Sequence, residues 1–419
     1  MDISAVTEYN SNQIEQFQRN KLVEILPDII ANTRAFDSFN HIIAEINEQN
    51  AIELLKTLPY TSKQDLLMNT DHYLRTDFDE RTFEVRTGGT SGEILSFPRV
   101  KSEYNIEKSH IKICWDFMGI ELGVDKGVIL NARPAKKSDD GFSYIDNNQM
   151  LWLGCNDESD NHWNRIYDEI ILYKPKYIRG YGSLVARFFK FIDAAGLECP
   201  PSINAVTYSS DPMQEAELEL IKQKYCDNLI SLYGQTERVV MGITCKEGDR
   251  YHLLPTYGIT EIIGEDGISI ASPGKVGQIV STSLYARVCS FVRYNTGDMG
   301  SWAEGTCECG REGPAISNFL QRSHEIIINK FGEEINIGRR NSFLNFRDKL
   351  PIGVGIQFRQ DSPGSLHVLI QTNKREIELY KLAIAHLDFE FETTFEFVEN
   401  PVLNQNGKRT LLVTGFSKS

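Results

Sequence analysis

The sequence predicts an α/β protein: a large N-terminal domain with mostly parallel sheets and a β-rich subdomain, plus a small α+β C-terminal lid domain. Three observations predict it. At 419 residues the chain exceeds what one ordinary core accommodates, so two or more domains are expected. From about Val85 to Tyr285 short β-branched runs alternate with longer amphipathic stretches, the pattern of a sheet with helices on its faces. Beyond about residue 240 the texture changes to short strands between glycine turns, and the last ninety-odd residues read as a compact β-β-α-β unit. The expected boundaries are 1–322, with the β-rich part at about 240–322, and 323–419.

The elements follow in order. Ile14–Leu26 and Phe39–Leu58 carry apolar residues at helical spacing. Ser62, three residues before Asp65, reads as a capped helix start. Thr82–Arg86 is a strand, as are Gly127–Asn131, Lys176–Gly180, Ser202–Tyr208 and Leu229–Tyr233. Trp163–Tyr173, Leu184–Ala195 and Pro212–Tyr225 read as the helices between them. Ile259–Ile263, Gly277–Ser283 and Phe291–Tyr294 are strands of the β-rich part. Gly353–Arg359, Ser365–Thr372, a helix near Arg375–Leu387 and a strand near Thr394–Val398 make up the C-terminal unit.

Composition narrows the function classes. Apolar residues at 41% and charged residues at 24% describe a water-soluble globular chain. Lys plus Arg total 44 against 58 Asp plus Glu, a net charge of -14, which argues against broad nucleic-acid or anionic-membrane binding. A local anion site remains compatible with it. Met1–Ala5 starts no secretory pattern, and no apolar run approaches the ~20 residues of a membrane helix. A reduced, cytoplasmic setting is expected, so clustered cysteines are read as metal ligands before disulfides.

Three segments suit a polyphosphate ligand. In Thr87-Gly-Gly-Thr-Ser-Gly92 the glycines let backbone N–H groups turn toward phosphate oxygens, and Thr90 and Ser91 add hydroxyls. Glu93, not Lys, follows Gly92, so this is no Walker loop; a surface turn is the alternative. Tyr233-Gly-Gln-Thr-Glu237 ends a strand, where open parallel sheets bind ligands. Its acid can hold Mg2+ and its ring can lie on an adenine, unless it is an ordinary strand end. Tyr294-Asn-Thr-Gly-Asp298 ends in an acid suited to sugar hydroxyls, with an Asx-type turn as the alternative. Cys245-x6-His252 and Cys307-x-Cys309 offer four ligands for tetrahedral zinc; buried thiols beside a surface histidine are the other reading. Cys114, Cys155, Cys199, Cys226 and Cys289 show no ligand pattern and are read as core or pocket wall. Trp152, Tyr181, Tyr208 and Tyr257 are candidates for an aromatic-friendly pocket or for simple core.

In that order the three segments resemble those of the adenylate-forming superfamily of acyl-CoA synthetases and adenylation domains. The likeness, from about Leu58 onward, is to the phenylacetate–CoA ligase branch and within it to capsule-biosynthesis (CapK-type) proteins. Tyr177-Ile-Arg-Gly-Tyr-Gly-Ser183, Tyr233-Gly-Gln-Thr-Glu-Arg-Val-Val240 and Cys307-Glu-Cys-Gly-Arg311 carry it. The resemblance implies an ATP-dependent enzyme that converts a small carboxylic acid to an acyl-adenylate and transfers it to a thiol of CoA or of an acyl or peptidyl carrier protein. It implies Thr87, Gly89, Thr90, Ser91 and Gly92 at the ATP phosphates, and Ser209, Ser210 and Asp211 along the adenine and acyl pocket. Tyr233, Gly234, Gln235 and Thr236 would sit at the nucleotide, Glu237 on Mg2+, and Asp298 and Arg322 at the ribose. Lys408, after Gly407, matches the family's catalytic lysine, although a solvated lysine is the ordinary reading of such a site. The resemblance also implies structural Zn2+ on Cys245, His252, Cys307 and Cys309. His324 stands where the family has an acidic hinge, with Glu325 beside it. That departure bears on the thiol step more than on adenylation. Transfer to a protein acceptor and a non-catalytic zinc-stabilised scaffold are the alternatives; no nucleic acid and no membrane insertion are expected, and a homodimer is compatible.

Overall fold

In a computed structural model the chain is described at residues 10–77, 80–87, 95–135, 141–155, 157, 159–210, 213, 215–246, 250–264, 266–270, 272–320, 326–337, 355–372, 377–399, 402 and 412–414. It divides into two compact units, one of residues 1–124 with 230–319 and the other of 125–229 with 320–419. The boundary expected at 322/323 lies outside the described residues.

The first unit begins with helix α1 (Ser11–Asn32), which Asn10 and Gln13 cap reciprocally. Leu22, Leu26, Ile29 and Ile30 form its buried face. The expected helix at Phe39–Leu58 is broken: a 3-10 stretch covers Arg34–Glu45 and α2 covers Ala51–Thr57. Asn47 and Asn50 supply the break, their side chains bonding to nearby backbone at Glu45, Asn47 and Gln49. Helix α3 (Lys63–Asn69) starts at the Ser62–Asp65 capping box. Strands β1 (Thr82–Arg86) and β2 (Ser96–Val100) form an antiparallel hairpin, and α4 (Lys101–Asp116) follows at once.

The rest of this unit is antiparallel. β8 (Leu229–Gly234) pairs with β9 (Met241–Thr244), which pairs with β10 (Tyr251–Leu253). β10 pairs with β14 (Ala315–Leu320). β11 (Gly258–Ile263) and β12 (Gly277–Ser283) pair in turn, and β12 pairs with β13 (Tyr294–Trp302). The strand expected at Phe291–Tyr294 is a correction: β13 begins only at Tyr294. Arg293 has a left-handed φ of 44°, a conformation that interrupts a strand. Its guanidinium is buried against Glu261 (2.9 Å) and the carbonyls of Lys56 and Leu58.

In the second unit β3 (Gly127–Asn131), β5 (Met150–Gly154), β6 (Tyr177–Tyr181) and β7 (Ala205–Ser209) run parallel, with β4 (Ser143–Ile145) antiparallel at the edge. Helices α5 (Asp160–Tyr173), α6 (Gly182–Ala194) and α7 (Glu215–Lys224) alternate with them. Val128, Leu151, Ile178, Val206, Trp163 and Phe188 share one core. The C-terminal residues build the hairpin of β15 (Ile326–Ile328) and β16 (Glu334–Asn336) and a four-stranded sheet of order β19-β18-β17-β20. These strands are β17 (Gly355–Gln360), β18 (Ser365–Gln371), β19 (Glu392–Val398) and β20 (Leu412–Thr414), with α8 (Ile377–Ile384) after β18. Phe358, Val368, Ile370 and Tyr380 are its core. The β-β-α-β order is present as β17, β18, α8 and β19, with three further short strands, β15, β16 and β20. No helix among the described residues is long and apolar enough to cross a membrane.

Candidate active site and metal centre

The first of the three segments follows β1, and beyond it β2 pairs antiparallel with β1. Thr87 donates its N–H to Leu95 O (2.9 Å), and Leu95 N–H donates to Thr87 Oγ1 (3.0 Å). Thr87 therefore closes the base of the loop. Gly89, Thr90, Ser91 and Gly92 lie outside the described residues, as do Asp211, Arg322, His324, Glu325 and Lys408.

Around the carboxyl end of β8 two tyrosine–carboxylate bonds converge. Tyr233 donates its hydroxyl to Asp298 Oδ2 (2.9 Å), and Tyr294 donates to Glu237 Oε1 (2.7 Å). The two segments read separately along the chain are thus cross-bonded, each lending a phenol to the other's acid. Burial raises both phenols, Tyr233 and Tyr294, well above the ordinary value, and Asp298 and Glu237 respectively add to the effect. Both phenols therefore stay protonated donors. Tyr233 is 4% exposed and packs edge-on to Tyr251 at 5.8 Å. Its ring packs in the core with Phe291 and Tyr294, and its polar end orients Asp298.

Asp298 sits on an irregularity inside β13, not at a strand end. Asn295 Oδ1 accepts from Gly297 N–H (3.0 Å), and Thr296 Oγ1 accepts from Asp298 N–H (3.1 Å). Gly297 adopts φ 78°, and the β12–β13 register shifts between Gln278 and Val280. The Asx-type alternative is therefore present and functional in form, since such bulges re-aim a side chain. Glu237 Oε2 makes no hydrogen bond among the described residues, while Tyr294 fixes Oε1. A carboxylate oriented through one oxygen and open at the other fits a Mg2+ ligand.

The turn after β8 is tight. Arg238 N–H donates to Gln235 O (3.0 Å), and Arg238 itself has φ 56°. Gly234 is exposed, and Gln235 and Thr236 are half-buried. Both amide atoms of Gln235 are buried without a hydrogen-bond partner among the described residues, a costly state that a polar ligand would relieve. In the second unit, Ser209 and Ser210 are half-buried at the end of β7, and Ser210 carries φ 75°, a left-handed serine of the kind found at functional sites.

The four metal-ligand candidates come together. The ligand atoms of Cys245, His252, Cys307 and Cys309 all lie within 4.8 Å of one another. Cys245 Sγ is 3.4 Å from Cys307 Sγ, and Cys309 Sγ is 3.4 Å from His252 Nε2. The sulfur separation is far beyond a disulfide bond of about 2.05 Å. It approaches the spacing of thiolates on a zinc with Zn–S of about 2.3 Å. The antiparallel pairing of β9 with β10 carries Cys245 and His252, and the turn after β13 carries Cys307 and Cys309. Burial, with Arg311 and Arg250 adding to it, lowers His252 to about 4, the neutral form that ligates metal. The donor set fits a closed structural site.

The other cysteines are core: Cys114, Cys155, Cys226 and Cys289 are buried and Cys199 half-buried. Trp152 stacks on Tyr144 and donates its indole N–H to Asp146, and Tyr257 bonds to Glu107, so internal partners account for both rings. Tyr181 and Tyr208 pack against the core of the parallel sheet. Sequence reasoning missed α4, where Glu103, Glu107 and His110 share one face. Its signal was a titratable spacing of four and three, which amphipathic patterning alone assigns to solvent.

No family model matches the chain. Among solved structures, 2-hydroxyisobutyryl-CoA ligase in the postadenylation state with R3-HIB-AMP is similar with a TM-score of 0.72, over 98% of this chain and 91% of that one, at 13% identity. The same ligase with 2-HIB-AMP and CoA in the thioesterification state gives a TM-score of 0.63 over 98% and 91%, at 14% identity. The chain shares the fold of that ligase, the mixed α/β class that the sequence predicted. Its sequence is similar to the phenylacetate–coenzyme A ligase of Thermus thermophilus, 24% identical over 287 residues, which are 66% of this chain and 63% of that ligase. The match therefore spans less than two thirds of that relative.

Proposed function

We propose that this protein is an AMP-forming carboxylate ligase. A carboxylate oxygen attacks the α-phosphorus of ATP, pyrophosphate leaves, and the acyl-adenylate then meets a thiol. The thiolate sulfur bonds to the acyl carbon and AMP departs. CoA is the acceptor favoured by the similarity to CoA ligases; a carrier-protein thiol is the second candidate. The observation that carries the reading is the cross-bonded pair Tyr233–Asp298 and Tyr294–Glu237 on the adenylate-forming fold.

Asp298, oriented by Tyr233, is suited to accept from the ribose hydroxyls. Glu237, oriented by Tyr294, would hold Mg2+, which when bound screens the polyphosphate charge. The buried amide of Gln235 is suited to a donor–acceptor edge such as adenine. The loop at 87–92, Arg322 and Lys408 take the roles their motifs imply, with Lys408 neutralising charge at the α-phosphate during attack. Zinc on Cys245, His252, Cys307 and Cys309 is structural.

ATP–pyrophosphate exchange with a panel of aryl and short-chain acids tests this. Exchange with at least one acid, and its abolition in Lys408→Ala with the fold retained, is expected. No exchange with any acid would return the chain to the scaffold reading, and exchange without CoA consumption would move the acceptor to a carrier or protein nucleophile.

A further inference from the structure

The turn that carries Glu237 is gripped from outside by the end of β2 and the helix α4 that follows it. Arg99, at the end of β2, stands four residues before Glu103, and Glu103, Glu107 and His110 continue along a single face of α4. Arg99 is 2% exposed and Glu103 3%. Such charges survive burial only when paired and hydrogen-bonded, and here the pairing is directional. The Arg99 fork gives one arm to Glu103 Oε2 (2.9 Å) and the other to the carbonyl of Thr236 (3.0 Å). Phe97 and Phe291 pack against its guanidinium at 5.0 and 5.7 Å. Glu103 is itself anchored, because Oε1 accepts the backbone N–H of Arg287 at 2.5 Å.

One turn further along α4, Glu107 Oε2 pairs with Arg238 Nε (3.3 Å) and accepts the hydroxyl of Tyr257. Thr236 and Arg238 flank Glu237. The residues on either side of the acid are therefore both held, Thr236 at its carbonyl by Arg99 of β2 and Arg238 at its guanidinium by Glu107 of α4. The left-handed φ of Arg238 costs energy that a free turn would shed, and the Glu107 contact holds the side chain of that residue.

We propose that Arg99 and Glu107 are positioning residues that lock the Gln235–Arg238 turn and thereby aim Glu237. They touch no reacting atom; they act as the outer support of a metal-binding carboxylate. Loss of such support typically weakens metal affinity about 10–100-fold. The activity readout rests on the proposed adenylation, whereas the turn itself can be observed directly.

Two variants test it. Glu107→Gln keeps the size and the bond to Tyr257 but removes the charge facing Arg238. Arg99→Lys keeps the charge facing Glu103 but cannot fork to Thr236 as well. In the full-length protein, amide hydrogen exchange of Arg238, whose N–H is bonded to Gln235 O, is expected to quicken in both variants. The Mg2+ concentration for half-maximal pyrophosphate exchange is expected to rise about 10–100-fold, with the KM for the acid unchanged and activity recovering at high Mg2+. Parent-like protection of the Arg238 amide in both variants would overturn the proposal. So would a rate that falls only with the folded fraction, at unchanged Mg2+ dependence. A parent that shows no pyrophosphate exchange would defeat the function proposed above and not this inference, which the Arg238 amide would still decide.

Discussion

The parallel strands of the second unit and the antiparallel strands of the first bury themselves by different means. Along β3, β5, β6 and β7 the covered side chains are chiefly apolar, Val128, Leu151, Ile178 and Val206 among them, and helices of the intervening sequence cover them. In the antiparallel region buried polar groups do much of the joining across long stretches of chain. Arg293 reaches Glu261 and the carbonyls near residue 57, Glu103 reaches Arg287, and Thr61 bridges Tyr294. The candidate carboxylates Glu237 and Asp298 and all four metal-ligand candidates lie in this second kind of structure. Apolar packing tolerates small changes of shape, whereas directional bonds set side-chain positions, and a site that must hold charge needs the latter.

That contrast can be broken by measurement. The largest effect is expected at the candidate metal centre: metal analysis should count about one zinc per chain in the parent, and Cys307→Ser should release it and cost about 4 kcal/mol or more in denaturant unfolding. Retained zinc, or parental stability without it, would remove the centre from the structure's support. Next, Arg293→Met leaves the Glu261 carboxylate buried with Ser269 as its remaining hydrogen-bond partner among the described residues, and should cost about 3–5 kcal/mol. Ile178→Val, a single methylene taken from the parallel core, should cost about 0.5–1.5 kcal/mol. If Arg293→Met proved no worse than Ile178→Val, the distinction between the two regions would fail.

The smallest effect is a pH slope. His110 is fully buried, its ring bonded to Ile106 O and Thr256 Oγ1 and flanked by Tyr257 and Tyr285, with Glu107 beyond Tyr257. Burial lowers it below its ordinary 6.5. The unfolded chain therefore binds the proton first, so this contribution is complete above about pH 6.5 and is lost as pH falls below it. His110→Gln should flatten the acid side of the stability profile between pH 6.5 and the lower folded value. An unchanged slope would show that His110 does not titrate on unfolding.

The contrast also explains what could be read in advance. The parallel strands and their helices were legible because a β-branched run followed by an amphipathic stretch is a local signal. The Ser62–Asp65 cap was legible for the same reason. Phe291–Tyr294 misled because an apolar run resembles a strand until Arg293 turns left-handed, and what holds Arg293 is Glu261, thirty-two residues away. The break between Glu45 and Ala51 came from side-chain amides competing for the backbone, which apolar spacing does not register.

By itself the sequence determined the fold class, the order of the three ligand segments and the identity of the four metal-ligand candidates, since each is written in short spacings. Only the tertiary structure decided that Tyr233 serves Asp298, that Tyr294 serves Glu237, and that Arg99 of β2 and Glu107 of α4 grip Thr236 and Arg238. These pairings join residues far apart in the chain, and burial is what makes an unpaired phenol, guanidinium or carboxylate too costly to leave alone.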